Sequence, residues 1–279
     1  MIHEMPIAVG ASARVQDEVQ SRREICRIGK WLYRREFVVA AEGNLSVRLG
    51  ADRILVTPSG ACKGRLLPDD LVITDLDGTV VCGTGEPSSE IQMHLLYYRS
   101  RPDVQSVCHA HPTTATGFAA AGRALEEAVL PEVVSVLGKI PLAPYGTPGT
   151  WELCAGIEPL VAKHDAILLE NHGVVTAGAD LVTAFHHMET VEHFARVMLA
   201  AESLGGPRLL TQAEVRKLSA VSRGARRLVS RRQNKVISAA NGRNRFNVPQ
   251  PKFKPYSVGS GTSPLKRSQG NLLNPSPRE

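Results

Sequence analysis

Between Glu86 and Gly117 the chain reads EPSSEIQMHLLYYRSRPDVQSVCHAHPTTATG, and most of the side chains able to do chemistry lie in this stretch. Ser88, Ser89 and Glu90 open a segment of helical character, and His109 and His111 sit two positions apart at the end of an apolar run. Residues i and i+2 of a strand point to one face, so both imidazoles can approach a single cation without strain. A histidine on a buried face is more often a hydrogen-bonded core residue, so the pair alone does not make a metal site. His172, in LLENHGVV just after a buried strand, brings a third imidazole from a distant segment. Three imidazoles and no thiolate suit zinc with at least one position open, a catalytic rather than a structural pattern. Ligand type does not separate Zn2+ from Mn2+ or Co2+.

Ser88 or Ser89 followed by Glu90 also reads as a helix cap with an acid favouring the positive end of the dipole. The same free N–H groups can bind phosphate. Gly43-Asn44 and Ser59-Gly60 form two further loops with small side chains and backbone donors. His94, His164, His186, His187 and His193 fall on predicted helices or their ends and are read as surface or packing residues.

The elements that must position these groups alternate between helical and strand patterns. Residues 15–36 space Val15, Val19, Ile25, Ile28 and Leu32 as an amphipathic helix. Leu45, Val47 and Leu49 alternate with Ser46 and Arg48 as a half-buried strand, and residues 54–57 return from it as a hairpin. Asp77-Gly78, between residues 71–75 and 79–82, predicts a type I′ hairpin. A helix is expected over Ser89–Arg99 and a strand from Val104 through the two histidines. A short helix of small residues follows Pro112, and KIPLAPY is read as a strand. Trp151–Lys163 reads as a helix and Ala166–Glu170 as a buried strand turning at Asn171–Gly173. Asp180 caps a long helix to about Leu204; residues 214–235 could also be helical. The pattern predicts an α/β domain with a mixed, largely antiparallel central sheet sandwiched between helical layers.

Charge divides the chain in two. Residues 223–279 hold 13 of the 33 basic residues and one of the 27 acids, leaving 20 against 26 and a net of −6 in residues 1–222. Residues 1–14 are read as a flexible N-terminus, 15–222 as the folded domain and 223–279 as a basic, disordered tail. The tail has few aromatics and no base-reading motif, so it reads as a solvated extension rather than a nucleic-acid interface. No apolar run reaches 18 residues, which excludes a spanning helix, and no secretory signal is read at the N-terminus. Five scattered cysteines without a CxxC pair favour reduced thiols and a cytoplasmic location.

The motifs GNLSVR, TPSG, PSSE, HAHP and ENHG, in this order, resemble the class II aldolase/adducin family over about Glu18 to Leu204, closest to its L-fuculose-phosphate aldolase group. The resemblance implies zinc on His109, His111 and His172. It implies a phosphate pocket from Asn44, Ser59, Gly60, Ser88 and Ser89, with Gly43 shaping its turn and Glu90 as catalytic acid/base. It also implies a phosphorylated sugar substrate and a homotetramer with active sites at subunit interfaces. The reaction implied is cleavage of a ketose 1-phosphate to dihydroxyacetone phosphate and an aldehyde. The related 4-epimerases carry Asp where Glu90 stands, decarboxylases of sugar-acid phosphates share the ligands, and adducins lack the metal histidines. The bacterial fuculose-phosphate enzymes protonate the aldehyde half with a tyrosine from the segment that here reads LPEVVSVLGK. Glu132 stands near that place, so the candidates for this role are Glu132, a water and Tyr256.

Overall fold

The computed structural model describes residues 17–218, 220 and 221, so the expectations for the N-terminal arm, the tail and Tyr256 lie outside the described residues. An eight-stranded sheet runs in the order β4-β3-β2-β1-β5-β8-β7-β6. Its strands are β1 (Asn44–Arg48), β2 (Ile54–Val56), β3 (Val72–Thr74), β4 (Val80–Cys82), β5 (Ser106–Ala110), β6 (Leu142–Ala143), β7 (Ala166–Leu169) and β8 (Gly173–Gly178). Every pairing is antiparallel except β6 with β7. Helices α1 (Glu18–Arg34), α3 (Thr113–Ala120), α4 (Pro131–Val136) and α6 (Leu181–Ser203) contribute to one core. Helices α2 (Ile91–Ser100) and α5 (Trp151–Val161) contribute to the other. The expected sheet between helical layers is thus the observed architecture.

Period-2 alternation decides which core each strand residue enters. Leu45, Val47, Cys108, Ala110 and Val174 pack with α1 and α6, while Val107, Val175 and Ala177 pack with α2 and α5. Because helices cover both faces, β1 is buried throughout rather than half-buried. Arg48 is accommodated by donating to the Tyr98 carbonyl and lying 4.9 Å from that ring.

Three local expectations are corrected. Val19 is exposed, since it stands about 200° around α1 from Ser21 on the buried stripe. The Asp77-Gly78 turn is not type I′, for Gly78 has positive φ and Asp77 does not. The Asp75 carboxylate instead accepts from the Asp77 and Thr79 N–H groups, folding a longer loop in which Gly78 takes the left-handed position. The KIPLAPY strand shrinks to two residues, and the short helix α4 stands where no element was assigned. The remaining helices start and stop close to expectation, with Asp180 accepting from Thr183 N at 2.7 Å to cap α6.

Candidate active site

Sheet register brings the chemical residues to one end. Asn44, first residue of β1, lies directly across from His109 on β5, and His109 lies across from Val175 on β8. His111 follows the last residue of β5, its N–H donating to the Phe37 carbonyl at 2.8 Å. The β7–β8 turn holds Asn171 at φ 54°, a conformation asparagine tolerates, and delivers His172 to the same end. Gly173 must be glycine here: an added Cβ would sit 2.4 Å from the His111 ring and 2.7 Å from the Ala110 carbonyl. Gly43, at φ 69°, likewise has no room for a side chain, since an added Cβ would sit 2.8 Å from the His109 carbonyl oxygen.

Ligand-capable nitrogens of His109, His111 and His172 all lie within 4.8 Å of one another. His109 donates its Nδ1–H to the Val174 carbonyl at 2.9 Å, and His111 directs Nδ1 at the Glu42 carboxylate 3.2 Å away. Those outer bonds turn both Nε2 lone pairs inward, where they face each other at 3.1 Å. Two lone pairs at that distance repel unless a positive charge lies between them. The Glu90 carboxylate completes the group, its oxygens 3.2 Å from the Nε2 atoms of His109 and His172. Tetrahedral ligation at about 2.0–2.1 Å puts neighbouring ligand atoms about 3.3 Å apart, so these separations fit a divalent cation.

The electrostatics favour neutral rings at His111 and His172 and draw positive charge, a proton or a cation, to His109 beside Glu90. Burial pushes the Glu90 carboxyl up, but the charge and hydrogen bond of His109, with His172 and the Asn44 amide, outweigh it and hold it below the usual carboxylate range. For His109, burial disfavours the charged ring and Glu90 more than reverses this, leaving it raised. Burial and then the His109 charge lower His111 and His172 to about 4, which leaves both neutral and able to ligate.

Glu90 stands as the residue before α2 rather than in its first turn, with its side chain in the cluster instead of on the helix end. Ser88 Oγ accepts from Glu90 N at 3.3 Å, but no side chain caps α2; the Ser88 carbonyl accepts from Ile91 N at 3.0 Å instead. A cleft of about 240 Å3 opens beside the histidines, lined by Asn44, Ser59, Gly60, Ser88, Ser89 and Glu90 together with His111 and His172. Ser59 N bonds Glu86 O at 2.9 Å and Ser88 N bonds Thr57 O at 3.2 Å. Those two backbone donors thus zip the loops to each other and are spent on the fold. Glu132 is exposed at the start of α4 and does not line this cleft.

The sequence assigned no site role to Lys63, Glu42 or His94. Lys63 is 2% exposed, lines the cleft and donates to the Ala41 and Ala61 carbonyls at 2.6 and 2.7 Å. Burial lowers it to about 8, against the pull of Cys62 and Glu90. His94, expected at the surface or in packing, is fully buried and bonds Asn44 and Ser46. His164, His186 and His193 line no part of the cleft, and His187 bonds the Ala177 carbonyl.

Residues 23–199 match the family model described as class II aldolase and adducin N-terminal domain. An L-fuculose phosphate aldolase of Methanocaldococcus jannaschii is 36% identical over 178 residues, covering 64% of this chain and 95% of that one. A 3-oxo-tetronate 4-phosphate decarboxylase of Escherichia coli is 34% identical over 207 residues, covering 72% and 96%. A solved L-fuculose 1-phosphate aldolase superposes with a TM-score of 0.68 at 32% identity, over 75% of this chain and 98% of that structure. With the expected motifs gathered at one end of the expected sheet, the chain belongs to the class II aldolase/adducin family.

Proposed function

We propose that this protein is a zinc-dependent lyase that cleaves the carbon–carbon bond one carbon removed from the carbonyl of a phosphorylated sugar, releasing dihydroxyacetone phosphate. The observation that carries the reading is the convergence of three imidazoles and the Glu90 carboxylate on one point, beside a cleft walled by serines and Lys63. His109, His111 and His172 hold the cation. Once bound, zinc supplies Lewis acidity to the negative charge that develops on the substrate carbonyl oxygen.

The chain's own residues do the rest. Asn44, Ser59, Gly60, Ser88 and Ser89 hold the phosphate, with Lys63 adding positive charge to the wall, so a non-reacting group fixes the reacting carbons. In a ketose 1-phosphate a base, a water or Glu132 of an adjoining subunit, takes the C4 hydroxyl proton as C4 becomes the aldehyde carbon; the C3–C4 bond breaks and its electron pair passes to C2–C3. Glu90, ionised at rest, takes up a proton from water and delivers it to C3, and in the reverse direction its carboxylate removes that proton.

A second reading rests on the other named substrate. Loss of CO2 from 3-oxo-tetronate 4-phosphate leaves the same three-carbon phosphorylated enediolate, so one phosphate pocket and one Glu90 serve either reaction. Only the departing half differs, and decarboxylation has no hydroxyl proton for a base to remove. The exposed position of Glu132 favours this second reading for an isolated chain; aldol cleavage is favoured if an adjoining subunit of a homotetramer completes the site.

The test joins metal analysis to assays that follow dihydroxyacetone phosphate with either an aldehyde or CO2 from a panel of ketose 1-phosphates and 3-oxo-tetronate 4-phosphate. His111→Ala is expected to lose the metal and all turnover. Glu90→Gln is expected to keep the metal and lose at least about 100-fold in kcat. Full activity in Glu90→Gln removes that residue from the mechanism. A cytoplasmic setting belongs to the same reading; among the described residues, no helix is long and apolar enough to cross a membrane.

A further inference from the structure

Helix α2 and strand β1 meet through an unbroken ladder of polar side chains in an otherwise apolar layer. Glu90, His94 and Tyr98 are spaced i, i+4, i+8 on one face of the helix, while Asn44, Ser46 and Arg48 are spaced i, i+2, i+4 on one face of the strand. Four helical residues rise about 6.0 Å and two strand residues about 6.8 Å, so the two sets interleave. The contacts run Tyr98 Oη to Ser46 Oγ at 2.7 Å, and Ser46 Oγ to His94 Nδ1 at 2.6 Å. They continue from His94 Nε2 to Asn44 Oδ1 at 2.5 Å, and from Asn44 Nδ2 to Glu90 Oε2 at 2.8 Å.

The direction of every bond follows from donor inventory. A carboxylate oxygen only accepts, so Asn44 turns its NH2 to Glu90 and its carbonyl to His94. His94 Nε2 must then carry a proton. The ring is fully buried with no carboxylate in contact, and burial lowers it to about 3, so it is neutral and its Nδ1 accepts from the Ser46 hydroxyl. Ser46 has one proton to give, and therefore accepts from Tyr98. All four bonds point at Glu90.

We propose that His94 is a positioning residue which, held in its Nε2–H tautomer by Ser46 and Tyr98, locks the Asn44 amide and through it the seat of the Glu90 carboxylate. This rests on the role given to Glu90 above. Without the His94 N–H on its oxygen the Asn44 amide is held by Glu90 alone, and its rotation would let the carboxylate swing out of line with the reacting carbon. The ladder removes that choice before substrate arrives.

The test has a spectroscopic and a kinetic arm. Nitrogen NMR of the zinc-loaded protein labelled at histidine, with the His94 signals assigned by their loss in His94→Gln, should show protonated Nε2 and bare Nδ1. Ser46→Ala should release the ring into both tautomers. In kinetics, His94→Phe should bind zinc normally and lose about 10- to 100-fold in kcat. His94→Gln, whose amide N–H can reach Asn44, should recover most of it. Should His94→Phe not fold, Ser46→Ala carries the kinetic arm with a several-fold loss in kcat per bound zinc. A protonated Nδ1, wild-type kcat in His94→Phe, or equal losses in the Phe and Gln variants would overturn the proposal. If the wild-type protein turns over neither substrate class, the functional reading fails, while the tautomer still decides whether the ladder is directed.

Discussion

Lys63 keeps a positive charge within the cleft wall while spending two of its three protons on the carbonyls of Ala41 and Ala61. Its lowered value of about 8 has a direct consequence for anion binding. Below that pH the ammonium attracts phosphate, and above it the neutral amine does not. Competitive inhibition by inorganic phosphate should therefore weaken as pH rises through about 8 in the wild-type protein. In Lys63→Arg, whose guanidinium stays charged, the weakening should be much smaller. Parallel profiles in the two proteins would show that Lys63 takes no part. At this scale the three imidazoles and the Glu90 segment were legible, because residue type and spacing already specify a chemistry. Lys63 was not, since nothing about a lone lysine between Cys62 and Gly64 announces its burial. For His94 the packing alternative is the one observed, but its partners were not legible: the i, i+4 spacing from Glu90 to Tyr98 defines a helix face, not that β1 would meet it with Asn44 and Ser46.

Among the elements, α3 begins at Thr113 directly after His111 and Pro112, and its capping residue Pro112 makes no side-chain bond to the helix end. The Glu192 carboxylate of α6 reaches across instead, accepting from Thr114 N at 3.0 Å and Ala115 N at 2.9 Å, with Arg196 Nε donating to it at 2.8 Å. A long-range cap of this kind ties the exit of β5 to α6 and steadies the backbone that carries His111. Glu192→Ala should cost about 2–3 kcal/mol in urea unfolding and speed the release of bound zinc to a chelator. Unchanged zinc release with reduced stability would confine Glu192 to the fold. Strong local signals such as the Asp180 cap and the alternating strands forecast their elements well. Short elements fared worse: α4 was not assigned and the strand read over KIPLAPY keeps only the two residues of β6, because tertiary contacts, not local pattern, define them.

At the scale of the whole molecule, the exposed Glu132 carboxylate and the cleft it was expected to serve are separate within one chain. If subunits share active sites, Glu132→Gln should lower aldehyde-releasing turnover more than tenfold and spare decarboxylation. Hybrids formed by mixing Glu132→Gln with Glu90→Gln subunits should then regain activity, since some sites would carry both native groups. Failure to regain any would place Glu132 outside the chemistry of its neighbours. The architecture itself was readable from the alternation of strand and helix patterns. The order of the strands was not, because pairing partners are chosen by packing of segments far apart in the chain.

That remoteness has one more result. His109 bonds the carbonyl of Val174, 65 positions later, and the third imidazole sits at the threshold of the same strand β8. The histidine triad can be assembled only after the central pairing of β5 with β8 has closed. A cation that binds it recognises the finished fold and not the open chain, so loading adds to stability by mass action. It also acts as a late clasp. Chelation should leave the rate of refolding nearly untouched while hastening unfolding, and the bare protein should fall to proteases sooner than the loaded one.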